Sequence, residues 1–151
     1  TAIPGLIVIP TAKNGPVVAI RPDGKGDISN STSQHVWTRP NNTPDVPCPL
    51  IHGGLVYLCR ENGNLLCMDA KTGQEYYHER THRQRHRASP VFVDGKVICV
   101  ARDGMITVVK AGKTFKMLAQ NNLGDSITAS PAFAEGTMYL RSFGSLWAIR
   151  K

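Results

Sequence analysis

The sequence predicts an all-β fold, a β-propeller of four-stranded antiparallel blades, and three observations carry that prediction. A phrase recurs at a fixed period: Pro49, Pro90 and Pro131 stand 41 residues apart, each preceded by a small residue (Cys48, Ser89, Ser130). Gly54, Gly95 and Gly136 keep the same spacing after them. Short apolar segments alternate with Asn-Gly and Asp-Gly pairs, whose tolerance of positive φ makes them hairpin turns. No segment sustains the apolar period of a helix. Four short strands in about 40 residues is the spacing of propeller blades. A sandwich or open barrel, the main rival, does not predict a constant repeat.

The elements follow in order. Thr1 to Pro10 is an apolar run with no basic flank before it and no cleavage site after it, so it does not read as a signal peptide. Asn14-Gly15 and Val17 to Ile20 match Asn62-Gly63 and Leu65 to Met68 at an offset of 48. The larger offset comes from Arg21 to Gln34, a Gly-, Ser- and Asp-rich stretch that reads as an exposed insertion. The first unit closes with a strand centred on Val36-Trp37-Thr38. The second holds strands at Leu55 to Cys59 and Leu65 to Met68, the turn Glu61-Asn62-Gly63 between them, and an outer strand centred on Tyr76-Tyr77-His78. The third repeats this with Lys96 to Val100, Arg102-Asp103-Gly104, Ile106 to Val109 and an outer strand over Phe115 to Leu118. The fourth has Thr137 to Leu140, a shorter turn at Phe143-Gly144, Leu146 to Ile149, and no outer strand.

The expected blades are 1–46, 47–88, 89–129 and 130–151, about three and a half blades of a seven- or eight-bladed ring. So short an arc leaves blade faces bare and a sheet edge unpaired. The expectation is therefore the C-terminal part of a larger propeller, its ring closed by remaining blades of the same protein, with closure by a second copy as the alternative.

Ser89-Pro90-Val91-Phe92-Val93-Asp94-Gly95 and Ser130-Pro131-Ala132-Phe133-Ala134-Glu135-Gly136 resemble the PQQ-like, or quinoprotein-type, β-propeller repeat. So does Met68-Asp69-Ala70-Lys71-Thr72-Gly73-Gln74-Glu75-Tyr76-Tyr77, which is similar to that family's Asp-x-x-Thr-Gly-x-x-x-Trp motif with Tyr77 at the Trp position. Trp37 stands at the equivalent point of the preceding unit. The motif has its own physical logic. Thr72-Gly73 makes a tight turn, and the aromatic that follows packs between adjacent sheets, removing about 150–250 Å² from water. Trp37, Thr72, Gly73 and Tyr77 are thus the predicted blade-docking residues. The third unit departs from the motif: its turn is Lys110-Ala111-Gly112-Lys113-Thr114, Leu118 falls near the aromatic position, and docking there should rest on aliphatic packing.

The resemblance implies either of two kinds of protein. One is a cofactor-free scaffold like the outer-membrane assembly lipoproteins and exported proteins of bacteria. The other is a fragment of a PQQ-dependent dehydrogenase, whose PQQ and calcium would bind outside this chain. The chain has no adjacent cysteine pair of the kind such enzymes usually set over the cofactor, and it lacks GxSxG, HExxH and P-loop motifs. Asp23, Asp69, Asp94, Asp103 and Glu135 fall in turns, where acids shape the backbone. The leading expectation is a binding propeller with no catalytic, cofactor or metal site of its own, in an exported, periplasmic or cell-envelope protein.

Composition adds a direction. The net charge is +7 and the pI about 9.5, a balance found in polyanion binders and in many domains that bind none. Charge concentrates in His78-Glu79-Arg80-Thr81-His82-Arg83-Gln84-Arg85-His86-Arg87, with four Arg and three of the five His. In the repeat this run connects an outer strand to the next blade's inner strand, on the face that carries the Asn-Gly and Asp-Gly turns. His78, Arg80, His82, Arg83, Arg85, His86 and Arg87 are the candidate contacts for a protein or acidic-polymer partner. A solvated loop is the alternative, and a metal site is disfavoured because the Arg charges oppose a cation. Cys59, Cys67 and Cys99 lie in apolar strand patterns and read as buried thiols, a disulfide staying open; no Cys/His spacing matches a zinc site.

Overall fold

The computed structural model describes residues 1–150, and every regular element in it is a strand. Fifteen strands form four antiparallel sheets in which sequence neighbours pair throughout. Sheet 1 holds β1 (Ala2–Ile3), β2 (Leu6–Pro10), β3 (Val17–Ile20) and β4 (His35–Arg39). Sheet 2 holds β5 (Leu50–His52), β6 (Leu55–Cys59), β7 (Asn64–Asp69) and β8 (Glu75–Arg80). Sheet 3 holds β9 (Val91–Val93), β10 (Lys96–Val100), β11 (Met105–Lys110) and β12 (Met117–Asn122). Sheet 4 holds β13 (Ala132–Ala134), β14 (Thr137–Arg141) and β15 (Leu146–Arg150). This is the all-β, partial-propeller architecture that the repeat predicts.

The sheets stack face to face, and alternation within each strand explains how. In β6 every residue is buried, because both faces of sheet 2 are covered. Val56 and Leu58 join Val8, Val17, Ala19 and Trp37 between sheets 1 and 2. Leu55, Tyr57 and Cys59 join Val97, Cys99 and Val109 between sheets 2 and 3. Ile98, Val100 and Ile106 meet Ile127 and Leu140 between sheets 3 and 4. A strand covered on both faces reads as a continuous apolar run, which is why these central strands were so plain in the sequence. Cys59, Cys67 and Cys99 are buried free thiols, and Cys48 is exposed.

The recurring proline stands just before the innermost strands of sheets 2, 3 and 4, a position where a missing N–H costs no ladder bond. The small residue before the proline has a further use. Ser89 Oγ accepts the Cys48 N–H at 2.9 Å, and Ser130 Oγ accepts the Ser89 N–H at 2.8 Å. Each bond spans one repeat and joins consecutive blades.

The third outer strand is displaced from its expected position. It runs over Met117–Asn122 rather than Phe115 to Leu118. Phe115 turns inward instead, its ring 5.5 Å from that of Tyr77 in an edge contact. The ladder also corrects the equivalence of Leu118. Trp37 pairs with Ala19 and Tyr77 with Cys67, each beside a β-bulge; the matching partner of Val108 is Ala119, and Leu118 is the bulged residue. Leu118 is 43% exposed.

Candidate functional site

Two sets of loops share one face of the stack. The turns joining the second and third strands of each sheet lie against the connections leading from one sheet to the next. Thr81 N donates to Gly63 O and His86 N to Glu61 O, each bond 2.8–2.9 Å long. One blade further, Ile127 N donates to Arg102 O and Phe143 N to Ser126 O, at 2.9–3.0 Å. Gly63 shows how tight the fit is: its φ is 84°, and a Cβ added there would stand 1.7 Å from His82 O. Only glycine fits.

The charged run divides into parts with different surroundings. Arg83 and Arg85 are exposed and line the loop face. Arg87 reaches Glu61 at 3.8 Å. His82 Nε2 meets Asp103 Oδ2 at 2.8 Å, bridging to the next blade's turn. Partial burial would raise the Asp103 carboxyl, but hydrogen bonds from His82 and the Met105 N–H hold it below the ordinary value. Arg80 Nε donates to Asn64 Oδ1 at 3.3 Å on the outer strand. His78 is half-buried, and burial is the first cause that lowers its pKa.

His86 lies apart from the surface. It is fully buried, its Nδ1 2.9 Å from Gln84 O and its Nε2 3.4 Å from Thr81 Oγ1. Burial lowers its pKa, so it is neutral at neutral pH and cannot serve as the surface anion contact expected of it. The reason is positional: one repeat later the same place is held by Ile127, also fully buried. His86 is a core residue set in a charged stretch of sequence.

The docking residues sit between sheets. Trp37 is buried, and its Nε1 donates to Ala70 O at 2.9 Å in the turn of sheet 2. Gly73 lies against the indole, where an added Cβ would come within 2.8 Å of the ring. Thr72 is exposed and its Oγ1 accepts the Gln74 N–H at 3.3 Å. Tyr77 packs between sheets 2 and 3 against Val97 and Val109. Beside it, Tyr57 OH accepts the Gly112 N–H at 2.9 Å.

Between the loops of sheets 1 and 2 the face opens into a cleft of about 500 Å³. Lys13, Arg60, Arg83 and Arg85 line it, answered by the carboxylates of Asp45 and Glu61. Lys13 and Arg60 were not among the sequence candidates, although each stands just before an Asn-Gly turn and so on the face that those turns define. The acids elsewhere serve turns: Asp69 Oδ1 accepts the Lys71 and Thr72 N–H groups at 2.9 and 3.0 Å. Among the described residues no group of three His, Cys, Asp or Glu side chains is placed to hold a metal ion, and no helix is long and apolar enough to cross a membrane.

Comparison with known proteins places this geometry. A family model described as outer membrane protein assembly factor BamB matches residues 13–150. Among solved structures, BamB from Moraxella catarrhalis superposes with a TM-score of 0.75 at 20% identity, over 96% of this chain and 42% of that one. The computationally designed Ika4 protein gives a TM-score of 0.73 at 18% identity, over 96% and 86%. A europium-containing methanol dehydrogenase gives 0.61 at 14%, over 80% and 23%. The chain thus spans less than half the length of the BamB chain it matches. No curated protein matches it.

Proposed function

The chain belongs to the BamB family of PQQ-like β-propeller repeats, and from that premise we propose that it is a non-catalytic binding propeller of an exported, cell-envelope protein. Its loop face holds an acidic segment of a partner protein. One observation carries this: Arg83 and Arg85 stand exposed on a frame of inter-blade hydrogen bonds, and among the described residues no ion pair engages either. Binding residues are commonly loop residues held by such a scaffold. Bidentate guanidinium groups suit carboxylates. The description of the family as an assembly factor supports a scaffold role, and the fold alone does not decide it.

The test is binding of a fluorescent acidic peptide at low and at physiological salt. The expected result is binding that weakens with salt and is lost in the R83A/R85A double variant. A basic peptide binding equally well would overturn it. The dehydrogenase alternative would need a carboxylate set for calcium that the described residues do not assemble, so PQQ and its calcium would have to be held outside this chain. Calorimetry with PQQ and calcium is the second arm, and tight binding to this chain would revive the enzyme reading.

A further inference from the structure

Three basic side chains of sheets 1 and 2 lie close enough to act on one another's charge. Arg39 closes β4, Arg60 follows β6 and His78 lies within β8. Their charge is poorly balanced. Arg39 Nη1 pairs with Glu75 at 2.7 Å. Arg60 Nη2 reaches the neutral Asn14 Oδ1 at 3.4 Å. The Nε of Arg39, the Nε of Arg60 and the Nε2 of His78 are all buried with no hydrogen-bond partner.

The crowding shows in ionisation. Burial, then the neighbouring Arg39 charge, lowers the Arg60 pKa. Burial lowers His78, and Arg60 and Arg39 lower it further against the opposing pull of Glu75. Arg60 is also the innermost cation of the cleft: Lys13, Arg83 and Arg85 around it are exposed, whereas Arg60 is half-buried. Of the two carboxylates there, Glu61 is already engaged by Arg87.

We propose that this cleft binds a small oxyanion of the phosphate class, inorganic phosphate or a phosphomonoester, seated on the half-buried Arg60 with Lys13, Arg83 and Arg85 around it. A phosphate brings up to two charges and several acceptor oxygens, which match a cleft lined by Lys13, Arg60, Arg83 and Arg85. A single carboxylate answers one charge. Because Arg83 and Arg85 line the same cleft, the proposal rests on that reading of the loop face, and phosphate binding lost in R60Q but kept in R83A/R85A separates the two.

Calorimetry on the full chain, with inorganic phosphate as the probe, tests it. O-phosphoserine serves as the monoester arm and chloride at matched ionic strength as the control. The expected result is saturable phosphate binding, weakened roughly 10- to 100-fold in R60Q, the loss of a charge-assisted hydrogen bond. Phosphate should raise the Tm of the parent chain and not that of R60Q. Without phosphate, R60Q should melt no lower than the parent, because it removes a poorly compensated charge. R60K, which keeps the charge and loses the planar fork, gives a second reading if R60Q does not fold, and should bind more weakly than the parent. Heat no greater than chloride gives, or equal binding by both Arg60 variants, would overturn the proposal. Response to phosphoserine but not to inorganic phosphate would place the phosphate on a larger ligand.

Discussion

At the junction of sheets 1 and 2 an indole crosses the gap; at the junction of sheets 3 and 4 the outer strand sends nothing comparable. Trp37 lies buried against Gly73 and is tied to Ala70 O. Ala119 holds the matching ladder position in sheet 3 and is exposed, as is every residue of its strand. There the inner strands do the joining, through Ile98, Val100, Ile106, Ile127 and Leu140. The junction of sheets 2 and 3 lies between these, with Tyr77 edge-on to Phe115. The Trp37 indole is received by a turn of the next blade, Asp69 to Gly73.

The sharpest test of this contrast is Trp37→Ala. It empties a buried indole site and leaves Ala70 O unpaired, so urea unfolding should show a loss of about 3–5 kcal/mol. A loss as small as that of a surface change would mean that the indole does not dock the blades.

The middle junction should reveal itself through alkali. Burial pushes the Tyr57 hydroxyl up to about 12 and the Cys67 thiol up to about 11, from ordinary values of 10.0 and 9.0. Raised pKa values in the folded state mean that the unfolded chain loses these protons first. Stability is full below about pH 9 and falls as pH rises towards about 12. Tyr57→Phe should flatten part of that slope in pH-dependent melting. It should also cost about 1 kcal/mol at neutral pH for the bond from Gly112 N. An unchanged alkaline slope would remove Tyr57 from the account.

The smallest effect belongs to the third junction. Ala119→Ser should change stability by no more than about 0.5 kcal/mol, as a surface substitution does. A larger loss would show that the outer strand contributes there after all.

Much of this architecture was legible because the repeat is literal. Proline, glycine and hairpin dipeptides fix where strands begin and turn, and strands covered on both faces have to be apolar along their whole length. The failures are equally specific. Phe115 looked like strand and is a half-buried residue packed against the core just before the strand, since an aromatic reads the same in either place. His86 looked like its charged neighbours, although its position in the repeat is that of Ile127 and could have been aligned with it. Of Lys13, Arg60, Arg83 and Arg85 around the cleft, only the last two stood in the charged run; the others come from separate turns that only the stacking of two sheets unites.

The serines that precede Pro90 and Pro131 have one further effect. Because Ser130 takes up the Ser89 amide and Ser89 takes up that of Cys48, each blade finishes the hydrogen bonding of the one before it. Loosening a blade releases a donor in its predecessor, so fraying from sheet 4 should travel back one repeat at a time, and amide exchange at Ser89 and Cys48 would report how far it has gone.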